Sequence, residues 1–178
     1  MQLDMHYYGT YALARLAGLK PGVCKTIAMA SQFVDDNAAG SHIEFPDGGR
    51  IDSEATAHHV FDIIVNRSPK DQRQVWVPFH FLPGNRGASF SERLICREDS
   101  AILQEMVQHH LGYAGHAAGV CLMGITAHIY ADTFSHFGFS GVGSRRNKVD
   151  SRSFRFDTHL DPDIEDYIKG KEKEFFRR

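Results

Sequence analysis

The feature that most constrains this chain is the stretch from Gly124 to Gly141, GITAHIYADTFSHFGFSG. It carries His128, Asp132 and His136, each four residues from the next. Residues four apart share one face of an α-helix. At about 1.5 Å rise per residue the three span roughly 12 Å, so one helix lays a carboxylate between two imidazoles. Imidazole and carboxylate are ligands that suit Zn²⁺ and similar ions. The two histidines stand too far apart for one ion to take both, and the natural metal reading has Asp132 bridging two ions. The alternative is a helix with two hydrogen-bonded histidines and a paired or capping aspartate. Gly124, Ala127 and Ala131 are small enough for close helix packing, while Ile129, Tyr130 and Phe134 supply bulk. A carboxylate in such surroundings is costly unless something cationic pairs with it.

The rest of the composition sets the frame for that helix. A chain of 178 residues reads as one domain, 1–178, with a single core. Its net charge of −2 argues against binding nucleic acid by bulk electrostatics, but not against an enzyme that holds phosphate through metal. Histidine is the anomaly, with 11 residues. Cys24, Cys96 and Cys121 are odd in number and form no CxxC, so they read as reduced thiols and not as zinc ligands. The N-terminus MQLDMHYYG lacks the charged and apolar regions of a signal peptide. No apolar run approaches a membrane span, and a cytoplasmic location is expected.

Periodicity and punctuation place the elements. Helices are expected over 6–18, closed by Gly18, and over 23–36 after Pro21-Gly22, with Ile27, Ala30, Phe33 and Val34 buried. The second ends in Asp35-Asp36, two carboxylates that oppose the helix dipole unless a cation compensates. A hairpin is expected around 43–52 with Pro46-Asp47-Gly48-Gly49 as its turn, and residues 56–65 can be strand or helix. Residues 75–82, VWVPFHFL, read as an edge strand interrupted by Pro78. Ser100 caps a helix through His110, the metal helix follows over roughly 114–137, and Asp161-Pro162 opens a final helix. The fold class is therefore mainly α, about five or six helices around a central metal-binding helix, with one small β hairpin or ribbon.

The candidate ligands in chain order are Asp4 and His6, Asp35 and Asp36, His80, His128, Asp132, His136, then His159 and Asp163. Singly each has an ordinary explanation as a capping, solvated or structural residue. His42, His58, His109, His110 and His116 receive no role, and His59 is the reserve ligand should His80 fail, because the adjacent pair His58-His59 doubles the chance that one faces the site. Taken together, His6, FVDD (33–36), PFHFLPG (78–84), AHIYADTFSH (127–136), GSRRNKV (143–149) and THLDPD (158–163) resemble the trinuclear zinc site of the zinc-dependent phospholipase C and single-strand-specific nuclease superfamily. HYYGTYALARLAG and VPFHFLPG also resemble a bacterial family of uncharacterised proteins.

The superfamily resemblance implies a phospholipase C/nuclease-like helical domain holding two or three zinc ions, or another divalent metal. It implies one ion on Asp35, His80, His128 and Asp132, a second on His136, His159 and Asp163, and a third sharing Asp132 and taking His6. Asp35 is preferred to Asp36 by its spacing from Phe33. In those enzymes a mature N-terminal Trp also binds the third ion. Here Met1 stands five residues before His6, and Asp4 is the residue placed to substitute. The implied activity is phosphodiester hydrolysis by a metal-bridging hydroxide, with Asp132 as bridge and Asp36 as outer partner or base. Arg145, Asn147 and Lys148 would meet phosphate oxygens. The substrate would be a phosphate ester (phospholipid, nucleotide or nucleic acid), with no specific protein partner. A non-catalytic, metal-stabilised helical binding domain is the alternative. An HD-type phosphohydrolase requires adjacent His-Asp, and no such dipeptide occurs. At least six of the eight ligands are expected to converge around Asp132, with His6 and the His159/Asp163 pair the first to be lost.

Overall fold

The computed structural model describes residues 3–58, 68–149 and 161–176. It falls into two compact units, Met1–Asn147 and Lys148–Arg178. The first opens with a π-helical turn, Asp4–Gly9, that runs into α1 (Thr10–Leu16) and then α2 (Pro21–Asp36). Gly18 ends α1 at φ +84°, a conformation that glycine adopts without steric penalty, and Pro21 starts α2 where its missing N–H is not needed. β1 (Ser41–Glu44) and β2 (Arg50–Ser53) form an antiparallel hairpin with Ile43 opposite Ile51. Next come α3 (Pro69–Asp71), a π-helical turn Gln72–Trp76, and α4 (Val77–Phe79). α5 (Phe90–Arg93) has a capping box between Ser89 and Glu92. α6 (Ala101–Leu111) is capped by Ser100, whose Oγ accepts from the Leu103 amide. α7 (Gly119–Ser135) carries His128 and Asp132, and a 3₁₀ turn Arg145–Asn147 closes the unit. The second unit contains α8 (Pro162–Phe176), acidic in its first turn as the helix dipole favours.

The first unit is built on the pairing of α2 with α7, flanked by α1 and α6. The two central helices meet at Gly124. A Cβ there would lie 2.4 Å from the Ile27 carbonyl and 2.6 Å from the Ala30 Cβ. Only glycine allows the backbones this close, and the approach brings the last turns of α2 against the His128 and Asp132 side of α7. Cys24, Ala28, Val34, Leu103 and Ile129 fill the core around that crossing.

Three expectations are corrected. Residues 75–82 are not an edge strand: they wind as the π-helical turn and α4, and both the His80 and Phe81 amides donate to the Trp76 carbonyl. Val, Trp and Phe favour strands, but among the described residues no strand pairs with this segment, and Pro78 suits a helical first turn. Phe33, expected inside, is 60% exposed, because the face of α2 toward α7 is taken by Ile27, Ser31 and Val34. The helix expected over roughly 114–137 also starts later, at Gly119, after turns through Gly112 and Gly115. The unresolved reading of 56–65 falls mostly on residues 59–67, outside the described residues. Among the described residues no helix is long and apolar enough to cross a membrane.

Candidate metal centre

His128 and Asp132 lie on α7, one turn apart, and both are fully buried. Asp35 reaches them from the last turn of α2. His80 follows α4, and its segment is tied to the end of α7 because His136 Nδ1 donates to the His80 carbonyl at 2.6 Å. His6 is fully buried in the N-terminal π-helical turn, its ring stacked on that of His128 at 3.9 Å between centroids. The extra residue of a π turn re-aims side chains relative to an α-helix and marks functional sites often.

The atoms that meet are nearly all acceptors. The His80 Nδ1 lies 3.0 Å from Asp132 Oδ2 and 3.8 Å from Asp35 Oδ1. The His128 Nε2 lies 3.3 Å from Asp132 Oδ2 and 3.9 Å from Asp35 Oδ1. These two nitrogens are 3.3 Å apart. Their tautomers follow from the opposite ring edges: His80 Nε2 donates to the Thr56 carbonyl and His128 Nδ1 to the Ser31 carbonyl, both at 2.8 Å. In the neutral rings the inward nitrogens therefore carry lone pairs. Metal-binding histidines show this arrangement, the outer N–H held by a carbonyl and the inner nitrogen free to ligate. Metal–ligand bonds of about 2.0–2.2 Å place tetrahedral ligand atoms roughly 3.3–3.6 Å apart, and the five separations given above bracket that value.

A second group overlaps the first. His6 Nε2 lies 3.3 Å from Asp132 Oδ1 and 3.7 Å from Asp35 Oδ2. Each carboxylate thus turns one oxygen toward His80 and His128 and the other toward His6, the disposition of a bridging ligand. Among the described residues neither buried ring nitrogen of His6 has a hydrogen-bond partner, which is expensive unless a ligand takes one of them. His6, His128 and Asp132, and separately Asp35, His80 and His128, offer ligand atoms close enough to hold an ion.

Electrostatics agree. Burial holds the His128 imidazole below its ordinary range, against the opposing pull of Asp132. His136 is lowered by burial as well. Burial pushes the Asp132 carboxyl up, but the imidazoles of His128, His6 and His80 outweigh it and hold the group far below the usual carboxylate range. Burial thus keeps the His128 ring on its neutral side, the form in which an imidazole binds a cation.

The remaining expected residues fall as follows. His136 caps α7; its Nδ1 is 3.6 Å from Asp132 Oδ2 but committed to the His80 carbonyl, so that only Nε2 could ligate. Its ring stacks on Phe81 at 4.2 Å. Asp36 is exposed and accepts from Gln32 one turn back; successive helical residues point about 100° apart, so only Asp35 of the pair faces α7. Asp4 is exposed and accepts from the amide of Met5. Asn147 is a brace: its Oδ1 accepts from the Ser140 amide and its Nδ2 donates to the carbonyls of Ser140 and Val142. Arg145 is exposed. Lys148 and Asp163 belong to the second unit, where Asp163 is in the first turn of α8 and its amide donates to Asp161 Oδ1. His159 lies outside the described residues. Sequence reasoning missed Ser135, which donates to Asp132 Oδ1 at 3.2 Å. It also missed the Ser31 and Thr56 carbonyls that orient the histidines; carbonyls leave no residue-type signal.

Residues 1–176 match a family of unknown function (DUF6765), and the chain belongs to that family. No curated protein and no solved structure matches it.

Proposed function

We propose that this chain is a divalent-metal-dependent phosphoesterase related to the zinc-dependent phospholipase C and single-strand-specific nuclease superfamily. One observation carries the metal: two imidazole lone pairs 3.3 Å apart face two carboxylates. Acceptors packed so closely repel one another unless a cation lies between them. Asp35, His80, His128 and Asp132 would hold one ion, and His6 with the outer oxygens of both aspartates a second. Zinc is the best match to this nitrogen and oxygen donor set. Bound dications supply Lewis acidity at a phosphoryl oxygen and acidify water.

The residues define the rest of the site. Two carboxylates against two dications leave a net positive cleft, which selects an anionic substrate. The Ser31 and Thr56 carbonyls keep the histidines from turning, and Ser135 orients Asp132. The competing reading is a metal-stabilised binding domain without turnover. It draws on the exposed position of Asp36 and on the Asn147 side chain being used within the fold. Hydrolysis of bis(4-nitrophenyl) phosphate separates the two. A phosphoesterase releases 4-nitrophenol on addition of Zn²⁺ and stops when chelator is added; a loaded, folded protein that releases none is a binding domain.

A further inference from the structure

We propose that the π-helical turn Asp4–Gly9 is a latch closed by the second ion, so that the supply of metal sets whether the centre holds one ion or two. The proposal rests on the two-ion reading of the centre and is independent of turnover.

The two ion positions are unequally built. The first is shaped by hydrogen bonds. The Thr56 and Ser31 carbonyls hold the outer edges of His80 and His128 at 2.8 Å. His128 also lies on a central helix, and the His80 carbonyl accepts from His136 at 2.6 Å. The second position depends on one imidazole. His6 Nε2 faces Asp132 Oδ1 at 3.3 Å and Asp35 Oδ2 at 3.7 Å. Among the described residues no carbonyl or hydroxyl takes either nitrogen of that ring, so its orientation is not fixed from behind as those of His80 and His128 are.

The turn that carries His6 has little else to hold it down. His6 is the one buried residue of Asp4–Gly9. Leu3 and Tyr8 are exposed, while Met5, Tyr7 and Gly9 are half-buried. Asp4 is exposed as well, its Oδ1 accepting from the Met5 amide. The innermost contact of the turn is therefore a polar ring, stacked on His128 at 3.9 Å between centroids. An imidazole buried without hydrogen bonds opposes docking of the segment that bears it. A cation bound at Nε2 reverses that sign, because the bond forms only when the turn is docked.

Filling is then ordered. The first ion takes Asp35, His80, His128 and Asp132, and the turn stays open. The second ion meets repulsion from the first and must also close the turn, and both weaken its binding. With it bound, His6 is fastened over the outer oxygens of the two aspartates.

The test is a zinc titration of the chelated, untagged chain, with exposure of His6 read by carbethoxylation and mass spectrometry. Diethyl pyrocarbonate modifies accessible imidazoles, and exposed His42 serves as the internal standard. Relative to His42, His6 should react at least about 10-fold faster in the chelated protein and at one equivalent of zinc than at two. The second zinc should bind roughly 10–100-fold more weakly than the first. His6→Ala, and His6→Phe as a variant that keeps a ring in the same space, should each bind a single zinc. His6 as unreactive in chelated or one-equivalent protein as at two equivalents overturns the latch and leaves the metal centre standing. Two zinc ions in either variant do the same. A folded parent that binds no more than one zinc overturns the two-ion reading, and the latch with it.

Discussion

The two sides of α7 teach different things. One side carries His128 and Asp132 against α2. The other, through Ala127, Tyr130, Ala131 and Phe134, lines an apolar cavity of about 730 Å³ shared with α1 and α6. Polar atoms occur on both. On the cavity side the hydroxyls turn back on their own helices, Thr126 Oγ1 to the Leu122 carbonyl and Thr10 Oγ1 to the Met5 carbonyl. On the metal side the inward atoms are acceptors facing acceptors. Burial alone therefore does not mark a site; missing donors do.

The largest way to break this difference is Asp132→Asn. It keeps the shape but removes the charge that faces both His80 and His6. Metal stoichiometry measured by elemental analysis should drop, and turnover should fall by roughly 10³-fold, equivalent to about 4 kcal/mol of barrier. Unchanged stoichiometry would mean that Asp132 is not a ligand.

Gly124→Ala comes next. Its methyl group would press on the Ile27 carbonyl, and destabilisation of about 1–3 kcal/mol is expected. Because the Ser31 carbonyl that orients His128 is on the same turn of α2, metal affinity should weaken with stability. A urea melt with and without zinc measures both effects.

Acid should act on the metal side more than on the cavity side. The folded state holds His128 neutral below its ordinary range, with burial the main cause, whereas in the unfolded chain the ring takes up a proton near about 6.5. Stability from this group is full above that pH and is lost as pH falls below it. Protons also compete with metal for the same lone pairs. The gap in melting temperature between zinc-loaded and chelated protein should close as pH drops below about 6; a gap constant down to pH 5 would contradict this.

The smallest effect is expected from Ala127→Val, which adds apolar volume toward the cavity. Stability should change by less than about 1 kcal/mol and metal content not at all. Loss of metal in this variant would show that the two sides of the helix are coupled.

Much of the centre was legible from spacing. His-x₃-Asp on one helix face fixed the relation of His128 to Asp132, and the small residue at Gly124 signalled the close crossing that brings α2 to them. His6, a first candidate to be lost, is buried in the cluster because a π turn, invisible to a 3.6-residue pattern, re-aims it. The same blindness misread residues 75–82, where strand-favouring side chains are wound helically. Asp35 and Asp36 could be told apart only by a spacing rule, since which of two adjacent helical residues faces inward depends on how α2 is rotated against α7.

The central claim is that Asp35, His80, His128 and Asp132 enclose a cation. Elemental analysis of untagged protein, purified without chelator and dialysed against metal-free buffer, tests it most directly. At least one zinc or other divalent ion per chain is predicted, with less in His80→Ala and Asp132→Asn. A folded chain that holds no metal, and takes up none when zinc is supplied, would contradict the account.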